Sequence, residues 1–110
     1  MTAGDVLNIP VRRQLFDLDK DRFPDTTLFV YLNQALVELG YRRPDLLLKA
    51  DQTLNTHTAV TALSDTLEFD DEYKGALASY TIYLAFSEDN SQTHNAQQAQ
   101  VHLAAFQQAI

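Results

Sequence analysis

The sequence predicts a mainly α-helical fold: a small helical bundle built on a C-terminal antiparallel helix hairpin, with a short loop or β-hairpin near residues 50–67. Apolar periodicity is the first observation. Tyr73, Leu77, Tyr80 and Leu84 recur at steps of 4, 3 and 4, and Ala96, Ala99, Leu103, Phe106 and Ile110 at steps of 3, 4, 3 and 4. That period gives each helix one apolar stripe, which must be buried. The second observation is the polar break Ser87-Glu88-Asp89-Asn90-Ser91, short enough to fold the two stripes onto each other. The third is the stretch from Ala50 to Leu67, where Thr53, Thr56, Thr58, Thr61 and Thr66 suit strand or loop better than helix.

Taken in order, residues 1–8 read as a loose start, followed by a helix at about 10–16 with Pro10 near its first turn, where a missing N–H costs nothing. Asp17 to Asp25 is a charged connection. Asp25 or Thr26 caps the second helix, at about 27–40, whose stripe is Leu28, Leu32, Ala35, Leu36 and Leu39, with Phe29 and Val37 on its shoulders. Gly40 suits the left-handed residue that ends helices, Pro44 forbids continuation, and Asp45 caps a short turn over Leu46–Leu48. A strand or hairpin is expected near Thr53–Val60. The hairpin helices are placed at about 71–86 and 92–109, with Asp70 as N-cap and Asp71 and Glu72 in the first turn, where the helix dipole favours acids.

A chain of 110 residues is one domain, able to bury roughly two thirds of its unfolded surface. No apolar run approaches a membrane span, and no basic-then-apolar leader opens the chain. The absence of cysteine excludes disulfides, thiolate metal sites and a cysteine nucleophile. Charge is unevenly spread. Residues 1–49 hold seven bases and seven acids, whereas residues 50–110 hold only Lys74 against eight acids, so the second part carries the whole net charge of −7. Beyond Asp89 no Asp, Glu, Lys or Arg occurs. An acidic chain lacks the footprint for gripping phosphates, so specific nucleic-acid binding is not expected. The acidic half reads either as a solvated face or as a surface that must not adhere to passing nucleic acid.

Several patterns bear on chemistry. Asp17-x-Asp19-x-Asp21 opens like a calcium loop, but Arg22 and Leu28 stand where the loop needs Gly and Glu. His57, His94 and His102 are too sparse for a metal; the last two lie two helical turns, about 12 Å, apart. Asp65, Glu68, Asp70, Asp71 and Glu72 cluster, yet no nucleophile, base or phosphate loop accompanies them, and no enzyme or cofactor is expected. Ile82 and Phe86 lie off the Tyr73–Leu77–Tyr80–Leu84 stripe. Apolar residues on two faces of one helix point to a surface covered by a partner, against the simpler reading of core filling. Arg12-Arg13 and Arg42-Arg43 are the basic pairs, open to bidentate contacts with a neighbouring subunit's carboxylates or to an ordinary surface role.

Together these segments resemble the small head-to-tail adaptor (connector) proteins of tailed bacteriophages. The resemblance runs through Phe23-Pro24-Asp25, Tyr31-Leu32-Asn33-Gln34-Ala35 and Arg43-Pro44-Asp45. It is strongest at Phe69-Asp70-Asp71-Glu72-Tyr73 with Ala76-Leu77, then Tyr80, Tyr83, Ala85-Phe86-Ser87 and Asp89. Asn95-Ala96, Ala99, His102 and Phe106 match the family's last helix, so the likeness spans roughly residues 5–110. The middle region is shorter than the β-containing insertion of many members, and Leu84 stands where an Arg is common.

The resemblance implies a non-enzymatic virion protein at the head–tail interface, present in the host cytoplasm during assembly. About twelve copies would form a ring below the portal, extend the DNA channel and dock the tail or neck, the contacts closing head to tail. On that expectation Arg12, Arg13, Arg42, Arg43, Ile82 and Phe86 are candidate inter-subunit residues, and Asp65, Glu68, Asp70, Asp71 and Glu72 candidate lumen acids. Leu103, Phe106 and Ile110 are candidates for portal docking. The alternative is a small acidic helical regulator or inhibitor that binds a host or phage protein.

Overall fold

The computed structural model describes residues 1–15, 23–47, 59–88 and 93–110. Among them the chain is mainly helical, and residues 59–70 form an irregular segment with one antiparallel bridge between Thr2 and Thr66. The Thr53–Val60 expectation and the Asp17–Asp21 motif lie mostly or wholly outside the described residues.

The first helical run begins at Ala3, not near Pro10. It comprises α1 (Ala3–Val6), a π-helical turn (Leu7–Val11) and α2 (Arg12–Gln14). The expected loose start is overturned by a capping box. Thr2 Oγ1 accepts from the Asp5 N–H at 3.3 Å and Asp5 Oδ2 accepts from the Thr2 N–H at 2.9 Å. Ala3, Val6, Leu7 and Val11 are then fully buried. Pro10 sits inside this run, and the wider π turn accommodates a residue that has no N–H to give and a ring that crowds the preceding turn. The backbone at residues 1–4 pairs with the turn at 63–67: Ala3 N–H to Asp65 O at 2.9 Å, Gly4 N–H to Leu63 O at 2.8 Å, and Leu67 N–H to Met1 O at 3.0 Å. Gly4 suits this close approach, because a Cβ there would sit 3.2 Å from the Leu63 carbonyl oxygen.

The second long helix, α3, spans Asp25–Arg42 and buries Leu28, Tyr31, Leu32, Ala35, Leu36 and Leu39. Neither Asp25 nor Thr26 caps it. Pro24 is the N-cap residue, and Asp25 lies in the first turn with its carboxylate turned to Arg12. Gly40 does not end the helix either; it lies within the last turns, and Arg43 closes them by donating its N–H to Leu39 O at 2.8 Å before Pro44. A 3₁₀ turn follows over Pro44–Leu47.

A 3₁₀ turn at Asp71–Tyr73 leads into α4 (Lys74–Glu88), and α5 (Thr93–Ala109) follows. Asp70 occupies the N-cap position in extended conformation, but its carboxylate makes no capping bond. The hairpin of α4 and α5 forms as the periodicity predicts. Helix α4 is the centre of the molecule, packing on α5, on α3 and on the N-terminal run. Its buried residues are Ala76, Leu77, Ala78, Thr81, Ile82 and Ala85, while Tyr73, Tyr80, Leu84 and Phe86 are half-buried. Covering on several sides demands small residues and a broad apolar surface, not one stripe. The buried Thr81 hydroxyl donates to Leu77 O at 2.9 Å, so its polarity is met within the helix. The whole measures 48 × 27 × 18 Å, a slab in which α4 lies between α3 and α5.

Candidate functional site

The residues named as candidates fall into three groups once placed in the fold. The first is structural. Arg12 is 1% exposed; its guanidinium donates to the Phe23 carbonyl at 2.8 Å and pairs with Asp25 at 2.7 Å. This corrects its reading as an inter-subunit arginine: the side chain fastens the first helical run to the start of α3. Arg42 pairs with Glu38 at 2.7 Å and lies over the Phe106 ring, 5.7 Å from its centroid. Arg43 makes two bonds to Asp45, at 3.1 and 3.0 Å, and a third to the Ile110 carbonyl at 2.8 Å. Both arginines therefore tie α3 to α5 within one chain. Arg13 remains exposed.

Ile82 is 3% exposed within the core cluster, so its burial needs no partner, and the inference from two apolar faces fails at this position. Phe86 is half-buried and stacks on His102, with ring centroids 6.0 Å apart and planes 18° from parallel. Burial pushes the His102 imidazole below its ordinary value. Phe106 is fully buried and meets Tyr80 edge-to-face at 4.8 Å. That removes it as a docking residue; it is the pin of the hairpin. Leu103 and Ile110 are half-buried beside it.

The acidic segment divides. Asp65 turns back to accept the N–H groups of Thr61 and Ala62 at 2.8 and 3.1 Å, and those bonds hold its carboxyl below the usual carboxylate range. Glu68 is half-buried. Asp70, Asp71 and Glu72 are exposed, and Asp71 meets the Met1 ammonium at 3.0 Å. An exposed acidic patch thus stands at the head of α4, three residues of the five named.

Two features escaped the sequence reading. Asn33, inside the Tyr31-Leu32-Asn33 stretch, grips the backbone of Val60 with both ends of its amide: Nδ2 donates to the carbonyl at 3.2 Å and Oδ1 accepts the N–H at 2.7 Å. Tyr31 beside it donates to Glu88 at 2.9 Å, joining the start of α3 to the end of α4. The other feature is a set of large apolar residues left outside: Val30, Val37 and Tyr41 on α3, Ile9, and Val101 on α5. A second period, opposite the buried one, carries the α3 set and was legible in principle.

Among the described residues no group of three or more His, Asp or Glu side chains is placed to hold a metal ion, and no helix is long and apolar enough to cross a membrane. An open groove of about 660 Å³ runs between the N-terminal run and the 63–64 turn, lined by Asp5, Asn8, Ile9, Leu63 and Lys74 among others. Its Asp5 is already committed to the capping box. No protein-family model, curated protein or solved structure matches this chain.

Proposed function

We propose that the chain is a structural virion protein, a head-to-tail adaptor whose copies, about twelve in number, form a ring below the portal of a tailed phage. The ring extends the DNA channel and docks the tail or neck. The observation that carries this reading is the division of the surface. Exposed Asp70 and Glu72 place negative charge at one spot, beside Asp71 with its Met1 ammonium partner, while the outward face of α5 holds no residue charged at neutral pH. An acidic lining repels the phosphates of passing DNA and lets it slide, and an uncharged face can be buried against protein without desolvating ions. Asp70, Asp71 and Glu72 are accordingly assigned to the lumen.

The test is electron microscopy of the purified protein, alone and mixed with the portal protein of the same phage. The expected result is a ring stacked coaxially on the portal with the three acids facing inward. No association in either condition refutes the adaptor, and an assembled ring with those acids outside refutes the lumen assignment. Tight one-to-one binding to a single basic protein would instead support the regulator.

A further inference from the structure

The slab carries matching stripes on its two outer edges. On α3, Val30, Gln34, Val37 and Tyr41 recur at steps of 4, 3 and 4 on the side opposite the buried leucines, with Val30, Val37 and Tyr41 exposed by 53%, 57% and 83%. On α5, Gln97, Val101, Ala104 and Gln108 recur at the same steps opposite buried Ala99 and Phe106, and Val101 is 59% exposed. Alternating steps of 3 and 4 draw a nearly straight seam, the pattern by which two helices pack side by side. Each stripe lies opposite the buried face of its own helix and stays exposed within the chain, the α3 stripe forming part of a groove between Ala59 and Tyr80.

Size, charge and level all match. The α3 stripe sets large apolar Val30, Val37 and Tyr41 around Gln34; the α5 stripe is small at its centre, where Ala104 is flanked by Ala105, so valine and tyrosine knobs have room to approach. Neither stripe contains a residue charged at neutral pH. Copies of net charge −7 repel one another, and these edges let them meet without burying an ion. The axial level is set inside the chain. Helices α3 and α5 end at the same end of the slab, where Arg42 covers Phe106 and Arg43 binds the carbonyl of Ile110, 67 residues further on. Val30 and Gln97, Gln34 and Val101, Val37 and Ala104, and Tyr41 and Gln108 are each 67 residues apart as well. Rotation about an axis along the helices keeps that level, so one copy's α5 would arrive beside the next copy's α3 with the four pairs abreast.

We propose that copies of this chain associate head to tail, the Val30–Gln34–Val37–Tyr41 face of α3 in one copy seated on the Gln97–Val101–Ala104–Gln108 face of α5 in the next. The contact is heterologous, so it leaves a free edge at each end of a dimer and is satisfied only by closure. Four residues a side is far below the roughly 20–30 of a stable pairwise interface, so an isolated dimer is weak and the closed set is the stable form. This inference names the inter-subunit surface of the ring proposed above and rests on that reading for closure.

A chain without cysteine makes the test direct. Val37→Cys and Ala104→Cys both fall on exposed positions, and far-UV circular dichroism checks that each variant keeps its fold. The protein is oxidised at high concentration, and again mixed with the portal protein. The doubly substituted chain is expected to give a disulfide ladder well beyond the dimer. The two single variants mixed should give a dimer that neither gives alone. Self-linking of Val37→Cys alone, or no ladder in either condition, overturns the proposal. A coaxial ring on the portal without the ladder would reject this contact while leaving the adaptor standing. A ladder without portal binding would do the reverse.

Discussion

Replacing Arg12 by Met tests the claim that this residue belongs to the interior. Methionine keeps much of the apolar stem and volume, so the change isolates the guanidinium bonds. The substitution removes the 2.8 Å bond to the Phe23 carbonyl and the 2.7 Å pairing with Asp25. It takes the guanidinium donor away from that carbonyl, in a residue only 8% exposed, at a cost of about 1–3 kcal/mol. Asp25 suffers less: its side chain is 32% exposed and lies in the first turn of α3, where water and the helix dipole still serve it. Relief from burying a cation offsets part of the loss. The net expectation is a destabilisation of about 1–3 kcal/mol, below the 5–15 kcal/mol typical of whole domains, so the variant still folds. Urea unfolding followed by far-UV circular dichroism measures it. Asp25→Asn and the double variant complete a cycle, and the two losses should overlap by about 1–2 kcal/mol. If Arg12→Met stays within about 0.5 kcal/mol of the parent, or the losses simply add, the argument fails, because that is how an exposed arginine would behave.

Three further outcomes follow from the same geometry. Asn33→Ala should cost about 1–3 kcal/mol through its two bonds to Val60, with faster amide exchange of Val60 as the local sign; unchanged exchange there would contradict the clamp. Phe106→Ala should cost about 3–5 kcal/mol, whereas Val101→Ala, on the outward side of the same helix, should stay near zero in the monomer. Comparable losses at both sites would mean that α5 is not oriented as described. His102, held below its ordinary 6.5 by burial, resists protonation in the folded state while the unfolded chain accepts the proton. Its contribution is complete above pH 6.5 and is lost progressively as the pH falls through the lower folded value. His102→Phe should flatten stability between pH 7 and 5 relative to the parent, and an unchanged slope would reject the assignment.

The helical class, the hairpin and the stripe of α3 were all legible in the sequence, because a period of 3.6 residues is a local property of the chain. So was the partition of charge, which needs only counting. Even the early start at Thr2 is present in the sequence as a Thr-x-x-Asp capping signal before the Val6-Leu7 pair, masked by Pro10, which by local rules marks a first turn of its own. What periodicity does not say is which faces of a helix are covered. Ile82 reads as a partner contact because periodicity alone pairs α4 only with α5; the fold packs several elements on α4, and Ile82 is buried within it. Phe106 looked available at the end of a tail, but the hairpin places it under Arg42 and against Tyr80. Arginines default to the surface because isolated cations are costly to bury. Arg12 is the exception only because a carbonyl and a carboxylate 11 and 13 residues away are folded onto it. Local rules thus determined the elements, and long-range packing decided which of their faces remain open to another molecule.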